Sequence, residues 1–194
     1  MKHIENYFSN IIQSINNLDK KKILKITKLL KNLRTKSGRL FLIGVGGSAG
    51  NASHAVNDFR KLCNIDAYTP VDNISEITAK TNDEGFDTIF DSYLKLCKIN
   101  RKDILFIFSV GGGNQKKNVS VNLIKAIKYA KTKKSKIISI VGKTDGYAYK
   151  NSDISISVNM KNKKLITPIS ETLQVLIWHL LVSHPLLQFN DTKW

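Results

Sequence analysis

A chain of 194 residues with 42% hydrophobic composition has the material for one globular domain with a full core. No apolar run approaches the roughly 20 residues that a membrane span needs, and the start, M-K-H-I-E-N-Y-F, lacks the apolar stretch of a signal peptide. The net charge of +16 rests on scattered lysines with only four arginines (Arg34, Arg39, Arg60, Arg101), so neither a nucleic-acid nor a membrane partner is expected.

Residues 3–17 set Ile4, Phe8, Ile11, Ile12 and Ile15 on one helical stripe, and a second helix is predicted over 19–34 with Ile23, Ile26, Leu29, Leu30 and Leu33. Two amphipathic helices ahead of the first strand need a cover, either the sheet or another subunit. A strand over 40–43 breaks at Gly44, and a helix over 48–62 opens after Gly46-Gly47. A short strand near 66–69 is closed by Pro70, and helices near 74–80 and 86–98 are joined through T-N-D-E-G. The clearest buried strand, 103–109, runs into V-G-G-G-N-Q. Next come a helix carrying Val119, Leu123, Ile124 and Ile127, a strand over 136–141, the turn G-K-T-D-G and a strand near 153–158. The last helix spans about 170–184, ahead of Pro185. Continuous apolar strands separated by helices predict a single α/β domain with a doubly wound, five-stranded, mainly parallel sheet covered on both faces. Cys63 and Cys97 form no C-x-x-C pair, which makes a reducing cytoplasm the default setting.

In such a sheet, ligands sit beyond the carboxyl ends of the strands. Two strands here end in Gly/Ser-rich turns that open helices, at 44–48 and 109–115, and two such turns on one sheet point to a phosphate-bearing ligand. Ser48 is placed to cap its helix and face the anion. Gly44, Gly46 and Gly50 are one residue off the dinucleotide fingerprint, no Gly-Lys-Ser/Thr occurs, and G-G-S-A-G lacks the preceding strands of a nucleophile elbow. His54 and Asp58 share a helical face at i, i+4. Taken singly, His54, His179 and Glu171 each have an ordinary structural role, in packing or at a helix end. Only together with Asp58 do they point to a metal site.

The turn G-x-G-G-S-A with a histidine six residues after the serine, the segment T-N-D-E-G-F-D at 81–87, the Ser/Gly loop and the last helix with His179 resemble the SIS-domain (sugar isomerase) proteins, and among them the phosphoheptose isomerases. The resemblance covers essentially the whole chain. It implies a SIS fold in which 1–36 is a helical segment for oligomerisation and 37–194 the α/β core. The implied activity is an aldose–ketose isomerisation of sedoheptulose 7-phosphate, giving a heptose 7-phosphate for surface-glycan precursors in lipopolysaccharide or capsule. The resemblance also implies zinc or another divalent metal, and a homotetramer with active sites between subunits. The family's metal positions fall on His54, Asp58, Glu171 and His179, with Glu usual where Asp58 stands and Gln where Glu171 stands. Catalysis falls to Asp58, or to Glu171 if the shorter Asp cannot reach, as base, with His179 as partner acid/base. Gly46, Gly47, Ser48, Ser109, Gly111, Gly112 and Asn114 line the substrate side, and Asp72 and Asn82 are placed to touch sugar hydroxyls. Val45 stands where the family has a substrate-binding Asn, and Ser109-Val110-Gly111-Gly112-Gly113-Asn114 replaces a Ser-Thr-Ser-Gly-Asn-Ser loop. The competing expectation is a non-catalytic SIS scaffold or regulator that binds a sugar phosphate or a protein partner.

Overall fold

The computed structural model of the protein describes residues 1–158, 160 and 162–192. Five strands, β1 (Leu40–Ile43), β2 (Ala67–Tyr68), β3 (Ile104–Ser109), β4 (Lys136–Val141) and β5 (Ile154–Ser157), lie in the order β2-β1-β3-β4-β5. All four neighbouring pairs are parallel, with Leu42 opposite Phe106 and Phe106 opposite Ile138 in the centre. Helices make the crossovers that parallel neighbours require. In chain order they are α1 (Lys2–Asn16), α2 (Lys20–Thr35), α3 (Gly47–Cys63), α4 (Ile74–Glu84), α5 (Ile89–Leu96), α6 (Val121–Thr132), α7 (Tyr147–Asn151) and α8 (Ile166–Val182).

Strand side chains alternate between faces, and each face meets its own helices. Leu40, Leu42, Phe106, Phe108, Ile138 and Ile140 pack with α2, α3 and α8. Phe41, Ile43, Leu105, Ile107, Ile137 and Val141 pack with α5, α6 and α7. This is the doubly wound α/β architecture that the sequence predicts. The reversal of strand order falls beside β1, so the first Gly/Ser turn opens at the carboxyl edge where ligands of such sheets bind.

The two leading helices part company. α2, capped by Asp19 on the Lys22 N–H, buries Ile23, Ile26, Leu30 and Leu33 in the chain's own core. The stripe read on α1 splits in two. Ile11 and Ile15, with Tyr7, pack against Val158, Leu165, Ile169 and Leu173, whereas Ile4, Phe8 and Ile12 face outward. The sheet is thus the cover for α2, and only α1 keeps an uncovered apolar face.

Four boundaries differ from the sequence reading. Val119 lies outside α6, because its backbone pairs with Asn114 in an antiparallel bridge. Thr81–Glu84 form the last turn of α4 rather than a link. The short helix α7 follows the G-K-T-D-G turn. α8 begins at Ile166, ahead of Pro168, since a proline in the first turn of a helix sacrifices no helical hydrogen bond. With the short turn before it, α8 gives a stretch, Lys163–Val182, that is long and apolar enough to cross a membrane by composition, contrary to the expectation that no run comes near. It is apolar because it is central: Ile169, Leu173, Ile177, Trp178 and Leu181 are fully buried in the chain's own cores.

This packing separates the two leading helices in a denaturation experiment. Ile26→Ala in α2 is expected to cost about 2–5 kcal/mol, the range for truncating a buried aliphatic side chain, and Ile12→Ala on the open face of α1 within about 0.5 kcal/mol of zero in the monomer. Urea midpoints of the two variants check it.

Candidate metal centre

The chain turns out of β1 through Gly44-Val45-Gly46 into α3. Gly46 is the residue before the helix, and its φ of +64° is one that a side chain would strain. Ser48 is therefore not the cap expected from the sequence. It is the second residue of α3, is 1% exposed, and accepts a hydrogen bond on Oγ from the Gln174 side chain at 3.1 Å. α3 then runs beside α8, and the two helices meet along a seam that can be followed level by level.

At the top, the Glu171 carboxylate lies directly over Gly47, where a Cβ would collide with it. One turn down, Asn51 Nδ2 donates to the Glu171 backbone carbonyl at 3.0 Å and to Gln174 Oε1 at 2.9 Å. Below that stand His54 and Asp58 from α3 and His179 from α8. Asp58 Oδ2 lies 3.9 Å from His54 Nε2 and 3.7 Å from His179 Nε2. One donor atom from each of the three residues lies within 4.8 Å of the others. The imidazoles are about half exposed, while Asp58 is largely covered. The His54 ring packs edge-on against the buried Trp178 indole, with centroids 4.7 Å apart, and so has a rigid floor.

Two imidazoles and a carboxylate are a donor set that suits zinc and similar divalent cations, whose bonds to such ligands are about 2 Å long. Burial and the neighbouring His54 hold the His179 pKa below its ordinary value, and Asp58 partly offsets them. At neutral pH His179 is therefore an unprotonated imidazole, the form that ligates. Glu171, the fourth residue expected in the set, is not in the three-residue group. It stands at the head of the seam, and its carboxylate has no hydrogen-bond or ion-pair partner among the described residues.

The loop after β3 sits at the same edge of the sheet, on the strand next to β1. Ser109 Oγ accepts from the Gly112 N–H at 2.9 Å. Gly112 and Gly113, both at positive φ, give their carbonyls to the N–H groups of Ala148 and Tyr147 at 2.8 and 2.9 Å. Two of the three glycines thus serve the docking of the loop onto α7. Gly111 alone has open space where a Cβ would stand and an ordinary φ. Asn114 closes the loop by pairing with Val119 and by accepting the Lys117 N–H at 3.0 Å. Asp72 reaches α3, where it accepts from Ser53 Oγ at 2.5 Å, next to His54. Asn82 is exposed in the last turn of α4 with its amide on Asp83, and Val45 is exposed in the first Gly/Ser turn. Asn51, Gln174 and Trp178 are absent from the sequence reading. Their signal was Gln174, a lone amide inside the apolar run of the last helix.

The sequence profile of the SIS domain family matches residues 4–142. The chain belongs to the SIS domain family. A phosphoheptose isomerase of Buchnera aphidicola is 31% identical over 162 residues, covering 81% of this chain and 77% of that protein. The lincomycin biosynthesis protein LmbN of Streptomyces lincolnensis is 31% identical over 154 residues, covering 76% of this chain, which spans just over half (56%) of LmbN's length. Among solved structures, a phosphoheptose isomerase from Francisella tularensis superposes with a TM-score of 0.79 over 93% of this chain and 92% of that one, at 23% identity. This SIS domain shares their fold with its metal-ligand candidates on α3 and α8.

The surroundings of His179 set a testable sign. In the metal-free protein its imidazole should titrate below about 6.5, the ordinary value. Asp58→Asn should lower the pKa further and His54→Gln should raise it, both read by NMR. Because the unfolded chain takes up this proton at a higher pH than the folded one, the group subtracts from stability as pH falls through the unfolded value.

Proposed function

We propose that this SIS domain is a sugar-phosphate aldose–ketose isomerase. The substrate is sedoheptulose 7-phosphate and the product D-glycero-D-manno-heptose 7-phosphate, made in the cytoplasm as a precursor of surface glycans such as lipopolysaccharide or capsule. The observation that carries the reading is the grouping of His54, Asp58 and His179 on the α3–α8 seam, at whose head the Glu171 carboxylate, unpartnered among the described residues, lies over the glycine turn at the carboxyl edge of the sheet. The named phosphoheptose isomerases among the relatives supply the reaction class.

His54, Asp58 and His179 would hold the divalent cation, zinc in this reading. Once bound, it supplies polarisation of the sugar carbonyl and its neighbouring hydroxyl. Asp58 is committed between two imidazoles, which favours Glu171 as the base. Glu171 takes the proton from C1 of the ketose, giving an ene-diol, and returns it to C2. His179, neutral at the working pH and bound through one nitrogen, would donate the N–H proton of its second ring nitrogen to O2 and take one back from O1, ending in the state in which it began. Ser109, Gly111, Gly112 and Asn114, with the Gly46-Gly47 turn, form the phosphate side, and Asp72 and Asn82 face sugar hydroxyls. Ser48, expected on the phosphate side too, is buried and bonded to Gln174 and backs that turn from within. The half-exposed imidazoles and the outward stripe of Ile4, Phe8 and Ile12 are surfaces that further copies of the chain would cover, in a homotetramer.

Incubation of the zinc-loaded protein with sedoheptulose 7-phosphate in D2O should give the aldose with deuterium at C2. Glu171→Gln should lower kcat by about 10²–10⁴-fold, the usual contribution of a general base, while leaving metal content unchanged. Gly47→Ala should also lower kcat, because the new methyl displaces the carboxylate without removing its charge. A protein with neither metal nor turnover that still binds a sugar phosphate would instead be the non-catalytic scaffold or regulator.

A further inference from the structure

We propose that Gln174 is the positioning residue of the metal centre, locking α3 and α8 in the register that brings His54, Asp58 and His179 together. The inference rests on reading those three side chains as one centre. Gln174 is fully buried on α8, as are its apolar neighbours Leu173, Ile177 and Trp178. A buried amide is costly unless both its ends are paired. Here both are: Oε1 accepts from Asn51 at 2.9 Å and Nε2 donates to Ser48 Oγ at 3.1 Å. Asn51 extends the lock by donating to the Glu171 carbonyl at 3.0 Å. Every member of the network lies on the α3–α8 seam, and it joins positions more than 120 residues apart in the chain.

The apolar remainder of the seam cannot do this alone. Hydrophobic contact is non-directional and tolerates sliding and rotation of one helix on another. A slip of one residue moves a helix by about 1.5 Å along its axis and turns its side chains by about 100°. A metal centre accepts distance errors of only about 0.2 Å. The amide lock excludes the slipped registers, because each would leave a buried donor or acceptor without a partner. It also sits one turn above the centre on both helices: Asn51 precedes His54 by three residues, and Gln174 precedes His179 by five.

The test compares the parent with Gln174→Met, which keeps length and volume but removes both polar ends. Ile127→Val, in the core on the other face of the sheet, serves as a stability control. Two readouts are taken: Co²⁺ affinity from the visible spectrum, and the imidazole ¹⁵N signals of His54 and His179 in the metal-free proteins at a single pH. The expected result is a loss of Co²⁺ affinity of about tenfold or more, in the range for residues that orient ligands, together with displaced signals of both histidines in Gln174→Met only. Histidine signals at their parent positions in Gln174→Met, or displaced as far in Ile127→Val, would overturn the proposal. A parent that takes up no Co²⁺ would end the metal reading of the site, and the metal-free histidine signals would then decide the positioning role by themselves.

Discussion

The structure depends on the seam where α3 meets α8. These helices are separated by about a hundred residues of chain, and both lie on the same face of the sheet. The candidate metal ligands and the amide network are on that line: Glu171 over Gly47, Asn51 with Gln174 and Ser48, then His54, Asp58 and His179, and at the far end Cys63 against the Val182 carbonyl. The sheet provides the rigid backing. The burial of Phe59, Trp178, Ile177 and Leu181 supplies most of the attraction. Polar contacts add direction rather than strength, since a hydrogen bond exchanged with water contributes only about 1 kcal/mol net.

Fold and site were legible to different depths, and the reasons are physical. Strand–helix alternation is written in hydrophobic periodicity, so the sheet, its parallel pairing and its two covered faces could be read directly. The three ligand candidates followed from i, i+4 spacing on one helix and a family resemblance on the other. The Asn51–Gln174–Ser48 lock was invisible because it is a tertiary pairing, and a single Gln in an apolar helix does not say what it meets. Glu171 shows the converse. Resemblance placed it among the metal positions, yet its carboxylate lies over a glycine that leaves room for it. The expected Ser48 cap failed because Gly46 takes the positive φ and the helix begins a residue earlier than the apolar pattern shows.

The leading helices illustrate why amphipathicity alone does not name a partner. Both α1 and α2 have apolar stripes. α2 finds the sheet and α8 within its own chain, while α1 satisfies only half of its apolar surface there. Ile4, Phe8 and Ile12 are left on a continuous outward line, each more than half exposed. Single exposed hydrophobics are ordinary, but three on successive turns of one helix form a contiguous patch, and the cost of leaving it wet falls when another apolar surface covers it.

The loop after β3 departs most from the family pattern, and its geometry shows how the departure is accommodated. Hydroxyl groups in such a loop would bind an anion through side chains. Here the single serine, Ser109, turns its oxygen back onto the loop's own N–H, and Gly112 and Gly113 spend their carbonyls on α7. The result is a loop held rigid from behind, with Gly111 at its open point. A phosphoryl group arriving there under the proposed reading would meet main chain rather than side chains. Backbone N–H groups lose no rotamer freedom on binding, so a pre-stiffened glycine loop can replace flexible hydroxyls at low entropic cost. Under the same reading, preorganisation of one kind would govern both sides of the site: backbone ties on the phosphate side, and the Gln174 amide on the side of His54, Asp58 and His179. The reacting sugar would lie between two surfaces that need not move to receive it.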